Sequence, residues 1–270
     1  MPVVNPFPSE ESADWSERFF NHPDYLDIYS EMTGPSRTKT ELAFCRSVLT
    51  WKIGDAILDA PCGAGRHTTP LAHKGHDVTG LDLSGFLLRE AKQTALKGFW
   101  NRNQPRFVQG VMQQLPFGDN QFDHVINLFS SFGYLDTEAE NFLVMQEYAR
   151  VLRPGGKLLI DVMNRHFIVP RLNEEFESVH ANGLFVREER AVINDGRRMH
   201  NAITVTDDQG NRRCYLYRPW LYNGAELSAH ATNAGLIVES VYGDFKGRLY
   251  KRQSERAILV AVKPLPHVGE

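Results

Sequence analysis

Apolar and polar positions follow two rhythms along the chain. From residue 56 to 163, short apolar runs of strand length recur: AILDA (56–60), HDVTGLDL (76–83), RFVQG (106–110), FDHVINLF (122–129) and KLLIDVM (157–163). Segments of helical length lie between them. One runs to about Lys74, and a second is capped by Ser84 and ends near Lys97. A third starts at Thr137 and ends in RVLRPGG (150–156), where Pro154-Gly155-Gly156 predicts a turn. Strands alternating with helices of this length form βαβ units. The pattern therefore predicts a doubly wound α/β fold, a parallel sheet with helices on both faces.

The flanks read differently. Residues 1–12 carry Pro2, Pro6 and Pro8 among polar residues and are expected to form a poorly ordered arm. Trp15, Phe19, Phe20, Tyr25 and Tyr29 follow, in one or two short helices broken at Pro23. Thr38 and Glu41 have capping-box spacing, which predicts a helix opening there and running to about Thr50. Beyond the fifth strand, the strand-like segments 184–193 and 198–206 flank Asp195-Gly196, a hairpin signal. A second turn at 208–211 leads into CYLYRPW (214–220). Residues 176–222 thus read as an antiparallel sheet inserted into a core formed by 13–175 and 223–264. A helix from about Ala225 to Ala234 and two strands, LIVESVYGDF (236–245) and RAILVAVK (256–263), complete the core.

Composition narrows the possibilities. Of 270 residues 42% are hydrophobic, enough for a sizeable core. The formal net charge of −3 argues against a strongly basic nucleic-acid binder. No apolar run approaches the roughly 18 residues that would span a bilayer. The start, MPVVNPFPSEES, has neither the basic nor the apolar part of a secretory signal. Cys45, Cys62 and Cys214 form no CxxC, so neither a disulfide framework nor a metal site is expected, and a cytoplasmic location is.

The candidate chemistry lies in ILDAPCGAGRHTTPLAHKGHDVTGLDLS (57–84). A strand ends in Asp59, a turn holds Gly63 and Gly65, and a helix begins. Glycines let a backbone approach a ligand closely, and the helix start offers free N–H groups. Asp82 ends the second strand. In a doubly wound fold that acid lies beside the first turn and can accept from two ribose hydroxyls. The site is therefore expected to hold an adenosine-like group. A dinucleotide site needs G-x-G-x-x-G, but Thr68 stands at the third glycine position. Asp59 would also repel a pyrophosphate and suit a cationic ligand group.

These residues resemble class I S-adenosylmethionine (SAM)-dependent methyltransferases. Asp59-Ala-Pro-Cys-Gly63-Ala-Gly65 is similar to their first motif, and Asp82 to their second-strand acid. LPFGDNQFDHVINLFSSFGYL (115–135) and RVLRPGGKLLI (150–160) resemble the stretches around their fourth and fifth strands. Asn164-Arg165 and GDF-x-G (243–247) resemble strings of a bacterial small-molecule group, and the insertion is similar to that of amino-sugar N,N-dimethyltransferases. The resemblance implies a Rossmann-like sheet of about seven strands with an antiparallel last strand, an N-terminal helical lid and the insertion covering the site. It implies SAM as cofactor and a small-molecule acceptor methylated on N or O by in-line displacement. Neither nucleic acid nor membrane is expected as a partner, and the insertion leaves a homodimer open.

The resemblance also assigns roles. The Gly63–Gly65 turn would pass under the methionine part of SAM, with Asp59 and Ala60 before it. Asp59 would orient towards the ammonium group. Asp82 and Leu83 would hold the ribose end, Met112 and Gln113 the adenine edge, and the Leu128 carbonyl would face the methionine amine. Arg37 would pair the carboxylate, although a solvated arginine reads equally well. Tyr25, Tyr29 and Tyr134 are the catalytic candidates, against ordinary core packing for the first two. Ser130, Ser131, Asn164, Arg165 and Arg218 are the acceptor-side candidates. Two departures stand out: Pro61 replaces the first glycine of the motif, and Val111 replaces the acid after the third strand. His67 reads as packing or catalysis alike. Arg187, Arg190, Arg197, Arg198, Arg212, Arg213 and Arg218, interleaved with acids, read as solvated strand faces. A SAM-binding protein without turnover and an NAD(P)-dependent oxidoreductase remain the alternatives.

Overall fold

A computed structural model of the chain describes residues 15–97, 103–172 and 175–266. The arm expected at 1–12 lies outside the described residues. Three helices come first: α1 (Trp15–Phe20), α2 (Pro23–Tyr29) and α3 (Pro35–Leu49). The α/β unit follows with β1 (Ala56–Asp59), α4 (Thr68–His73), β2 (Asp77–Asp82), α5 (Gly85–Leu96), β3 (Arg106–Gln109), β4 (Phe122–Asn127), α6 (Glu138–Val151), β5 (Leu152–Met163) and α7 (Arg165–Ile168). The insertion is β6 (Phe176–Val179), β7 (Phe185–Ile193), β8 (Arg198–Thr206) and β9 (Arg212–Tyr217). The chain then returns through α8 (Gly224–Asn233), β10 (Ile237–Tyr242) and β11 (Arg256–Val262).

Seven strands form one sheet in the order β10-β11-β5-β4-β1-β2-β3. All pairs are parallel except those of β11, which runs antiparallel to β5 and β10. The four inserted strands form a separate antiparallel sheet. Period-two alternation explains why the central strands read as continuous apolar runs. Leu58, Val125, Leu158 and Leu259 face the core under α6 and α8, while Ile57, Ile126, Leu159 and Ile258 face the core that includes Leu42, Phe44 and Leu49 of α3. A third core joins the insertion to the first two helices: Phe19 packs 4.9 Å from the ring of Tyr215 and stacks 6.0 Å from Tyr217. Asp24 fastens the same contact. It is buried, accepts from Arg213 Nε at 2.8 Å and from the Tyr215 hydroxyl at 2.7 Å, and sits on α2.

Local signals set most element ends. Ser84 accepts from the Leu87 N–H at 3.0 Å, and Thr137 and Glu140 form a reciprocal capping box. Three predicted boundaries move. Helix α3 starts a turn earlier than Thr38, with Gly34 as cap and Pro35 in its first turn. Thr38 is inside the helix, bonding back to the Gly34 carbonyl, and Glu41 is drawn into a buried ion cluster. Strand β5 does not wait for Lys157. Leu152 already pairs with Phe122, residues 153–156 bulge, and Gly155 and Gly156 exchange backbone bonds with Lys263. Strand β9 begins at Arg212 and stops at Tyr217, before Pro219, which has no N–H for the ladder.

Candidate active site

The strand order makes the carboxyl end of β1 a switch point, because β2 and β4 leave it in opposite directions. Ligands of doubly wound sheets bind in the crevice that opens there. The β1 turn is built around Asp82. Its Oδ2 accepts from the Gly63 N–H and its Oδ1 from the Ser84 N–H, both at 2.8 Å. Burial nevertheless pushes its carboxyl up to about 6, against the pull of those two bonds. Gly63 (φ +54°) has open space where a Cβ would be. Gly65 (φ +76°) faces inward: a Cβ there would lie 3.0 Å from Ala91 Cβ and 3.2 Å from the Phe107 ring. The first glycine thus faces the crevice and the second allows the turn to pack on α5 and β3.

A cavity of about 440 Å³ opens beside this turn. Of the cofactor candidates, Gly63, Asp82, Leu83, Met112, Gln113, Leu128 and Arg37 line it. Gly65 lies beneath. Asp59 and Ala60 lie behind the turn: Asp59 is buried, accepts from Thr68 Oγ1 at 2.6 Å, and its Oδ1 has no partner. Burial raises the Asp59 carboxyl. The Ala60 carbonyl accepts from the Tyr148 hydroxyl at 2.7 Å. Pro61 joins Ala60 through a cis peptide and lines the cavity, as does Val111.

All three tyrosine candidates line the cavity together with Ser130 and Ser131. Tyr29 and Tyr217 share a hydroxyl hydrogen bond of 3.1 Å, and Tyr134 stacks 5.9 Å from Tyr217. Burial pushes the phenols of Tyr25, Tyr29 and Tyr134 upward, so they stay neutral and are poor bases. Both serines are engaged. Ser131 Oγ donates to the Leu128 carbonyl at 3.0 Å, while Ser130 Oγ accepts from the Met163 N–H at 3.0 Å and from Arg256 Nη2 at 2.9 Å. Arg256 in turn grips the buried Asp161. Phe129 and Ser130 both take left-handed backbone (φ 64° and 60°), held by bonds from their N–H groups to Asp161.

Three acceptor-side candidates do not line the cavity. Asn164 is fully buried; its amide donates to the Arg252 and Ser254 carbonyls and caps α7. Arg165 pairs with Glu226 at 2.7 Å. Arg218 lies past the end of β9, and its carbonyl accepts from Arg198 Nε at 2.8 Å. Three of the arginines read as solvated are not: Arg190 lines the cavity, Arg213 holds Asp24, and Arg198 is largely buried over Trp220.

The sequence reading also missed a cluster at the turn. Glu41 is buried, accepting from Arg37 Nε, Arg66 Nη1 and His67 Nε2. Burial opposes its charge, yet the bonds from His67 and Arg66 hold its carboxyl well below the usual range. Arg37 and Arg66 each lie 5.2 Å from the Phe129 ring centre, and Arg66 Nη2 is buried without a partner. Glu188 of β7 lines the far end of the cavity beside Arg190. A buried acid in α3 and a charge adjoining Gly65 were the available signals for the first cluster; Glu188 had none.

Fold and turn define an α/β protein whose crevice suits a ligand with a nucleoside-like half. Residues 57–156 match the family described as "Methyltransferase domain". Glycine N-methyltransferase of Rattus norvegicus is 33% identical over 148 residues, which cover 50% of this chain and 49% of that protein. The dTDP-3-amino-3,4,6-trideoxy-alpha-D-glucopyranose N,N-dimethyltransferase of Streptomyces venezuelae is 28% identical over 197 residues, 72% of this chain and 80% of that protein. The CcbJ methyltransferase of Streptomyces caelestis shares the fold, with a TM-score of 0.77 at 21% identity over 91% of this chain and 98% of that one. The chain spans about half the length of the rat relative. Over residues 57–156 the chain is thus similar to methyltransferase domains, for which SAM is the implied cofactor. The residues present fit that group: Gly63 leaves space, Asp82 keeps unused lone pairs on the wall, and Arg66 offers an unpartnered donor.

Proposed function

We propose that this chain transfers a methyl group from SAM to a nitrogen or oxygen of a small molecule. The observation that carries this is the Gly63–Asp82 turn at the switch point, opening on a cavity that continues into an aromatic chamber. When bound, SAM supplies an activated methyl group, so little covalent chemistry is left to the protein. What the chain must do is align two ligands and remove water.

In this proposal Asp82 and Leu83 hold the ribose end, and Met112 and Gln113 the adenine edge. Gly63 and Leu128 border the methionine part, and Arg37 with Arg66 receives its carboxylate. Asp59 and Gly65 shape the turn from behind. Tyr25, Tyr29 and Tyr134 wall the acceptor chamber with their ring faces, which attract cations. The core is 13–175 with 223–264, and the insertion at 176–222 closes the chamber. Among the described residues no helix is long and apolar enough to cross a membrane. We place the protein in the cytoplasm and expect no nucleic-acid partner.

Calorimetric titration with SAM, S-adenosylhomocysteine and NADH in parallel tests the proposal. Micromolar binding of the first two and none of NADH is expected. NADH binding without SAM binding would replace it with an oxidoreductase. Binding without product formation across an acceptor screen would leave a SAM-binding protein.

A further inference from the structure

The far end of the cavity is walled by the inserted sheet, and its chemistry is lopsided. Arg37 and Arg66 belong to the turn end of the cavity; away from it, the lining guanidiniums among the described residues are already matched to acids, Arg190 to Glu188 and Arg256 to Asp161. A ligand anion at this end would have to displace one of those pairs. Glu188 is different. Its two hydrogen bonds, from Arg190 Nη2 at 2.8 Å and Asn201 Nδ2 at 2.9 Å, both run to Oε2. Among the described residues no hydrogen bond runs to Oε1, which leaves it free to accept.

The surroundings favour a cation beside that oxygen. Asn201 is fully buried and its amide nitrogen donates both to Glu188 and to the Tyr217 hydroxyl. Tyr217 bonds Tyr29, so the carboxylate and two phenols are held as one unit. Tyr29, Tyr134 and Tyr217 line the same cavity; aromatic rings attract an ammonium, and a largely buried carboxylate makes a charge-assisted hydrogen bond with it. Met163, Phe167, Ile168 and Met199 add apolar wall, and Glu255 and Arg256 also line the cavity.

We infer that the methyl acceptor is an amine carried on a largely apolar body, and that Glu188 receives its ammonium and takes the proton it sheds, so that the neutral nitrogen's lone pair forms the N–CH3 bond as the S–CH3 bond of SAM breaks and S-adenosylhomocysteine leaves. This rests on the methyl-transfer function proposed above and narrows it. Glu188 acts as a specificity-determining contact, and Asn201 as the positioning residue that aims it.

Matched probes test the assignment. Cyclohexylamine and cyclohexanol differ in the group Glu188 would read, and both are titrated into protein saturated with S-adenosylhomocysteine. The amine is expected to bind at least tenfold more tightly than the alcohol. Glu188→Gln keeps the size and the acceptor for Asn201, and should erase that preference while the S-adenosylhomocysteine Kd changes less than twofold. Arg190→Met supplies an opposite sign: it leaves Glu188 uncompensated and should strengthen amine binding. Equal binding of the two probes, binding of neither, or an undiminished preference in Glu188→Gln overturns the inference while leaving the methyl-transfer proposal standing. Failure of S-adenosylhomocysteine itself to bind removes both.

Discussion

Asp82 carries two backbone N–H groups and still faces the cavity, so one side chain both builds the turn and presents the ligand surface. Asp82→Ala should weaken S-adenosylhomocysteine binding by more than tenfold, above about 1.4 kcal/mol, with the circular dichroism spectrum unchanged. A preserved Kd would remove the ribose role. The raised carboxyl adds a pH signature. Ligand hydroxyls donate to the charged form, so binding favours the deprotonated acid. Affinity should be flat at neutral pH and fall as pH drops through about 6, approaching tenfold per pH unit below it. Calorimetry from acid to neutral pH checks this, and Asp82→Asn should flatten the profile. The two turn glycines separate in the same way. Gly65→Ala forces a Cβ against Ala91 and Phe107 at a left-handed φ, and should cost about 1–3 kcal/mol of stability in urea unfolding. Gly63→Ala meets no neighbouring atom, and its loss should appear in ligand affinity more than in stability.

At the scale of elements, the first two helices belong to the insertion as much as to the core. Phe19 and Ile28 share one apolar cluster with Val186, Met199 and Tyr217, and Asp24 ties α2 to β9. Burial opposes the Asp24 charge, but the bonds from Arg213 and Tyr215 win and lower its carboxyl. A lowered acid contributes stability above its unfolded pKa and loses it as pH falls through the folded value. Asp24→Asn leaves Arg213 with less of its partner charge. Arg213 is partly exposed, so solvent softens the loss to about 1–3 kcal/mol. Hydrogen exchange should quicken across residues 15–29 and β9 while β1 and β4 stay protected. Uniform protection would show that Asp24 fastens nothing.

The whole molecule is a seven-stranded α/β core and a cover of inserted sheet and first helices that meet around a shared cavity. Lining residues come from α1, α2, the β1 turn, the ends of β2 and β4, and from β7, β8 and β9. A ligand spanning them should stabilise them together. At a hundredfold excess over Kd, S-adenosylhomocysteine should add about 2.7 kcal/mol to unfolding. Exchange protection should rise in the 61–66 turn and in α2 alike. Protection confined to the turn would mean that the cover closes only when the acceptor arrives.

The chain's own order determined the core. Ile57 and Leu58 are both apolar because β1 is buried on both faces, and Ser84, Thr137 and the Asp195-Gly196 hairpin act within a few residues of themselves. The Gly63–Asp82 turn was legible because strand-turn-helix spacing is local. What needed the tertiary structure was every partnership between distant residues. Thr38 and Glu41 have the spacing of a cap, yet Arg66 and His67, some 25 residues on, claim Glu41 for a buried cluster. Lys263 keeps the glycines at 155 and 156 in the sheet. Asn164 and Arg165 follow the fifth strand, but contacts from Tyr250 and Glu226 turn them away from the cavity. Glu188 and Arg190 alternate with other charges like any exposed strand; only packing against the first helices makes that face an inner wall.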